Sequence, residues 1–160
     1  MPIYMKFDSI DGESTAKGHE KWIEVLSFSW GVTNATTRAS GGGGGAGKAS
    51  FQDLHFTQKT QSSSPNLLKA CATGEHIKEA TLSFIKGEGQ QLEFLKIKLE
   101  DVLISGLQTG GAEGSDGDRP TDEVSLNFLK IDYLYTPQSA DGSVLPPIEF
   151  AFDIAANRAG

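Results

Sequence analysis

The chain has 160 residues, 38% hydrophobic and 22% charged, which suits one domain with a substantial core. A formal net charge of −7 argues against non-specific affinity for nucleic acid or anionic lipid, and no apolar run approaches membrane-spanning length. The single cysteine, Cys71, excludes an internal disulfide and a multi-cysteine zinc site.

The N-terminus, MPIYMKFDSIDGES, lacks a basic segment followed by an apolar one. The chain is therefore expected to be made and folded in the cytosol, and export would need a route without a signal peptide. A short strand is predicted at 3–7 (IYMKF), ending in the turn Ser9-Ile10-Asp11-Gly12. A long strand follows at 21–32. Trp22, Glu24, Leu26, Phe28 and Trp30 share one parity and are expected to pack on the core. On the other parity lie Ile23, Val25, Ser27 and Ser29.

Next comes the run Gly41, Gly42, Gly43, Gly44, Gly45, Ala46, Gly47, Lys48. From Gly42 it reads GxxxxGK, but Ala49 replaces the Ser or Thr that would hold Mg²⁺ in a phosphate loop. The context is also reversed. A phosphate loop follows an apolar strand and opens a helix; here a polar stretch (33–40) precedes the run and a strand-like segment (51–58) follows it. The run reads as a long excursion between two strands.

A helix is predicted from Ser64 to about Thr73, with Ser64 as N-cap, Pro65 at the first helical position and Gly74 just past the end. Leu67, Leu68 and Cys71 form its expected apolar stripe. Cys71 then reads as a small core residue. His76 is placed near the helix C-terminal carbonyls. Strands follow at 79–87 and 91–106, the second apolar on both parities. The loop 106–122 leads to a strand at 123–138, and the turn 140–143 to a last strand at 146–154. One helix among about seven strands predicts a single all-β domain spanning 1–160, a barrel or sandwich with a lateral helix.

No residue set specifies catalysis, a metal or a cofactor. His19, His55 and His76 are not in metal-ligand spacing, and no GxSxG elbow occurs. Asp116, Asp118, Asp122 and Glu123 lack the calcium-loop order and read as a solvated hairpin loop. Trp22, Phe28 and Trp30 resemble a sugar-stacking platform, but their alternate spacing fits core packing better.

Six segments in order, 3–14, 18–31, 41–57, 64–77, 93–106 and 123–142, resemble one family over most of the chain: Hcp, the haemolysin-coregulated tube protein of bacterial type VI secretion. The resemblance implies a compact β-barrel of two sheets with one flanking helix, a fold shared with phage tail-tube proteins. It implies homo-hexameric rings that stack into a tube, which is expelled when a surrounding sheath contracts. The sheath, the spike protein and effectors carried in the lumen are the implied partners, and the extracellular medium or a target cell is the implied destination. Gly41 to Lys48 then becomes a ring-stacking arm, and Ser27 and Ser29 become lumen residues that touch cargo. Two alternatives stay open at this point: a nucleotide-binding protein using Gly42–Lys48, and a monomeric β-sandwich that binds a ligand.

Overall fold

The computed structural model describes residues 1–35, 47–87, 92–114, 117 and 119–160. Among them run twelve strands and one helix: β1 (Ile3–Phe7), β2 (Ile23–Glu24), β3 (Ser27–Ser29), β4 (Val32–Asn34), β5 (Ala49–Phe51), β6 (Leu54–Lys59), α1 (Ser63–Thr73), β7 (His76–Lys86), β8 (Leu92–Gly110), β9 (Thr121–Asn127), β10 (Lys130–Tyr135), β11 (Ile148–Asp153) and β12 (Arg158–Ala159). The mainly β class with a single flanking helix is as the sequence predicts.

Ten strands form one antiparallel sheet, while β4 and β5 form a separate two-stranded ribbon. The spine is β8. Along one edge it pairs with β7, from Leu92 opposite Lys86 to Leu103 opposite His76. Its other edge is divided: residues 95–100 pair with β10, and 103–110 pair with β9. The sheet continues from β10 to β11 and β12, from β9 to β6 and β3, and from β7 to β1 and β2.

The expected barrel does not close. Segment 23–29 instead passes from the edge of β1 to the edge of β6. The Val25 amide donates to the Ile3 carbonyl (2.9 Å), and the next amide, Leu26, donates to the Thr57 carbonyl (2.8 Å). This change of partner between adjacent residues breaks the long strand expected at 21–32. It also corrects the expected parity. Before the switch Ile23 and Val25 are buried; after it, Leu26 is 53% exposed while Phe28 and Trp30 pack against the core. The three aromatics make no common platform. Trp22 meets the edge of His19 (4.8 Å), Phe28 meets Phe84 (4.7 Å), and Trp30 lies by Phe51 and Tyr133.

A second change of face explains why β8 is apolar on both parities. Ile97 and Leu99 are buried, then Val102 and Ile104. Between the pairs stands Asp101 with φ of +54°, a left-handed conformation that breaks the two-residue alternation. The neighbours change at the same level: Ile77 then Ala80 on β7, and Phe128 then Ile131 where β9 gives way to β10. The strand expected over 123–138 is thus two collinear strands joined at a crease.

The helix packs on β8. It begins at Ser63 with Ser62 as the N-cap, two residues earlier than the cap-based reading, and Ser62 makes no side-chain cap bond. Its buried residues are Ser63, Leu67 and Ala70, at i, i+4, i+7. Leu68 is 55% exposed, so the expected stripe is corrected: one residue past Leu67 turns the side chain some 100° away. Cys71 is half-buried against the core. Gly74 closes the helix as expected (φ +67°), with the Glu75 amide reaching the Ala70 carbonyl at 3.0 Å.

Candidate functional site

Three surfaces stand out, each following from a strand that ends or turns outward. The first is the β4–β5 arm. Val32 opposes Phe51 and Asn34 opposes Ala49. At its base the Trp30 and Phe51 rings lie parallel, with centroids 6.4 Å apart, and Phe51 also packs on Phe128 and Phe152. At its far end the Asn34 side-chain amide donates to the Gly47 carbonyl (2.8 Å). A Cβ on Gly47 would fall 1.8 Å from the Ala35 carbonyl oxygen, so only glycine allows the two strands this approach. Of the residues expected to make the arm's contact, Gly47 and Lys48 sit here with Lys48 exposed; Gly41, Gly42, Gly43, Gly44, Gly45 and Ala46 lie outside the described residues.

The second surface is a hydroxyl-rich face across β3, β6, β9 and β8. Ser27 and Ser29 are both exposed there. Ser27 opposes Thr57 and their hydroxyls bond at 2.7 Å; Ser29 opposes His55. The His55 ring bonds the Ser125 hydroxyl (2.8 Å). Asp53 accepts from Ser105 (2.7 Å) and from the Asn127 amide (3.1 Å). Sequence reading singled out only the two serines. The alternation of buried Leu54 and Phe56 with outward His55 and Thr57 was the signal for the rest.

The third surface is an apolar overhang. Tyr135 opposes Ile148, Tyr133 opposes Phe150 and Ile131 opposes Phe152. Ile131 and Phe152 lie at the core, but farther along the same face Ile148 is 67% and Phe150 52% exposed. Exposed Val144 and Leu145 lie in the loop before β11. That loop is pinned by Asp141, which accepts from the hydroxyls of Ser139 and Ser143 and the Ser143 amide. These donors hold its carboxyl well below the usual range.

The groups weighed for chemistry are kept apart. His19 bonds Ser83 (3.1 Å). His76 pairs with Asp101 (3.0 Å) and not with the helix carbonyls, because it already belongs to β7. Among the described residues no three His, Cys, Asp or Glu side chains gather closely enough for a metal ion. In the acidic loop Asp116 and Asp118 lie outside the described residues, and Asp122 is not solvated. It is 1% exposed on β9, and its carboxylate accepts from Thr60 (2.8 Å), Thr109 (2.9 Å), Gln58 (2.9 Å) and Ser64 (2.5 Å). Burial alone would raise its pKa; the four donors outweigh that and lower it. Asp122 is thus a structural tie between α1 and three strands.

Together these surfaces define a mainly β protein with an outlying two-stranded arm, an exposed apolar edge and a hydroxyl-rich face. Residues 4–135 match the family described as "Type VI secretion system effector, Hcp". Over 157 residues the chain is 41% identical to Protein hcp1 of Pseudomonas aeruginosa, covering 97% of this chain and 96% of that protein. It superposes on a solved type six secretion system protein with a TM-score of 0.92 at 32% identity, covering 99% of both chains. With Hcp1 of Salmonella typhimurium the TM-score is 0.81 at 31% identity, covering 99% of this chain and 98% of that one. The chain belongs to the Hcp family of type VI secretion proteins.

Proposed function

We propose that this chain is a tube subunit, six copies of which close into a ring through the β10–β11 overhang. The observation that carries the reading is the uncovered continuation of the core face, Tyr135, Ile148 and Phe150, at an edge of the sheet. A contiguous apolar patch on a chain of this size marks an interaction surface. When such a patch meets a different patch on the next copy, the contact is head-to-tail, and it closes into a ring if the rotation suits. The β4–β5 arm, carrying Gly41 to Lys48, then reaches the adjacent ring. The hydroxyl face with Ser27 and Ser29 lines the lumen and holds effector cargo by hydrogen bonds. Sheath, spike and effectors of the type VI system are the proposed partners, and the assembled tube carries the chain out of the cell.

Negative-stain electron microscopy with light scattering of the purified protein tests this reading. Six-fold rings with a central hole and a six-copy mass are expected. A monomer at every concentration would overturn it and favour a ligand-binding sandwich.

A further inference from the structure

The polar side of the overhang carries an unusual pair. Asp132 on β10 opposes Ala151, and Leu134 opposes Glu149, so Asp132 and Glu149 are diagonal neighbours on one face, within side-chain reach. They lie opposite in direction to Tyr133 and Phe150. One Asp132 oxygen, Oδ1, is buried with no hydrogen-bond partner, while Glu149 is exposed. The cation directly across from Asp132 is Lys98 on β8. It is engaged elsewhere, 3.5 Å from Glu79 and 3.7 Å from Glu100, and both hold its proton more firmly. The remaining charged neighbours on this face are Lys96 on β8, Lys130 on β10, and Asp153 on β11 opposite Arg158 of β12. Gly160 lines the same depression, about 210 Å³, as Asp132 and Lys98.

Two carboxylates this close attract only when one proton lies between them; without it they repel. Hydrogen bonding to Asp132, followed by its charge, raises the pKa of Glu149. We propose that Asp132 and Glu149 hold one proton between them and that this proton sets the grip on edge strand β11, so that copies of this chain join more tightly in mild acid than at neutral pH. The assembly half rests on the ring reading above. The strand concerned is otherwise weakly held: β12 pairs with only Phe152 and Asp153, and among the described residues the outer edge of 148–151 is met only by the Gly160 amide on Ala151.

The sign follows from proton linkage. An acid whose pKa is raised while β11 is docked on β10 takes up a proton in that state before the chain with β11 released does, so docking of β11, and with it a contact that needs β11 in place, strengthens as pH falls through that pKa. With one proton per contact, the change is at most about tenfold per pH unit.

Carboxyl-selective NMR titration and sedimentation at about pH 8 and pH 5.5 test the two halves. The expected results are a Glu149 midpoint above that of ordinary glutamates, abolished in Asp132→Asn. Ring assembly should need less protein in mild acid, and Glu149→Gln should assemble equally well at both pH values. An ordinary Glu149 midpoint overturns the proton sharing. A raised midpoint with pH-independent rings overturns its coupling to assembly. A raised midpoint in a chain that makes no rings at any pH overturns the ring reading, and the assembly half with it, while supporting the shared proton.

Discussion

Replacing Asp122 by alanine should be among the most damaging changes in the chain. The carboxylate is fully enclosed and accepts four side-chain hydrogen bonds from β6, the segment after it, the first turn of α1 and β8. Asp122→Ala strands the donors of Gln58, Thr60, Ser64 and Thr109. A buried donor left unpaired costs about 1–3 kcal/mol. Some of the four will turn to water or to one another, so the net loss is roughly 3–5 kcal/mol. Urea unfolding followed by the fluorescence of Trp22 and Trp30 reads this directly. With a slope of about 2 kcal/mol per M, the midpoint should fall by roughly 2 M. Protein concentration must be held equal, because the proposed assembly would add to apparent stability. Asp122→Asn fills the same space and should cost less. It should also flatten the acid limb. The native pKa of Asp122 is lowered, so its contribution is complete above the ordinary aspartate value and is lost as pH falls through the native one. A midpoint shift under about 0.5 M for Asp122→Ala, or an unchanged acid limb for Asp122→Asn, would refute the reasoning.

Other expectations concern the contact surfaces and one tight turn. Phe150→Glu puts a charge in the overhang and should abolish rings while far-UV circular dichroism and monomer melting stay near wild type; intact rings would exclude this edge from the contact. Replacing 41–48 with a tight turn should leave rings and remove stacked tubes in electron micrographs, and tubes of normal length would remove the arm from stacking. Ser29→Arg should weaken cargo retention in co-purification with rings preserved, whereas an unfolded subunit would show that the face is structural. Gly12→Ala should lower stability by roughly 1–3 kcal/mol on thermal melting, because the new Cβ would lie 2.5 Å from the Trp22 carbonyl oxygen and 2.7 Å from Ile23.

The sequence made the β character, the helix and most strand positions legible, because each rests on local signals: alternation at Leu54–Lys59, glycine at 74, turn residues between runs. What it concealed was non-local. Nothing in KWIEVLSFSWGV announces that Val25 bonds β1 while Leu26 bonds β6, so the aromatic parity was read straight through a change of partner. The crease at Asp101 has the same character; its signature, apolar residues on both parities of 91–106, was visible but is equally well explained by a buried strand. Asp122 was read with the acidic residues around it because its donors stand 13 to 64 positions away. Of the candidate contact residues, Ser27 and Ser29 were singled out because they lie on the less apolar parity of their strand, and both are exposed. The overhang was missed as a unit, since the exposure of Ile148 and Phe150 depends on where the core beneath them ends.

The divided edge of β8 also has a mechanical meaning. A push delivered at the overhang enters through β10 and β11; the hydroxyl face and the approach to the arm are reached through β9, β6 and β3. Both routes meet on one unbroken strand of 19 residues. In the proposed tube, load passing between a ring neighbour and a partner above or below would therefore be spread over the rows of backbone hydrogen bonds that β8 makes with β7, β9 and β10. The crease at Asp101 is where that route bends, so stiffness under thrust should depend on its fit more than on any residue at either contact.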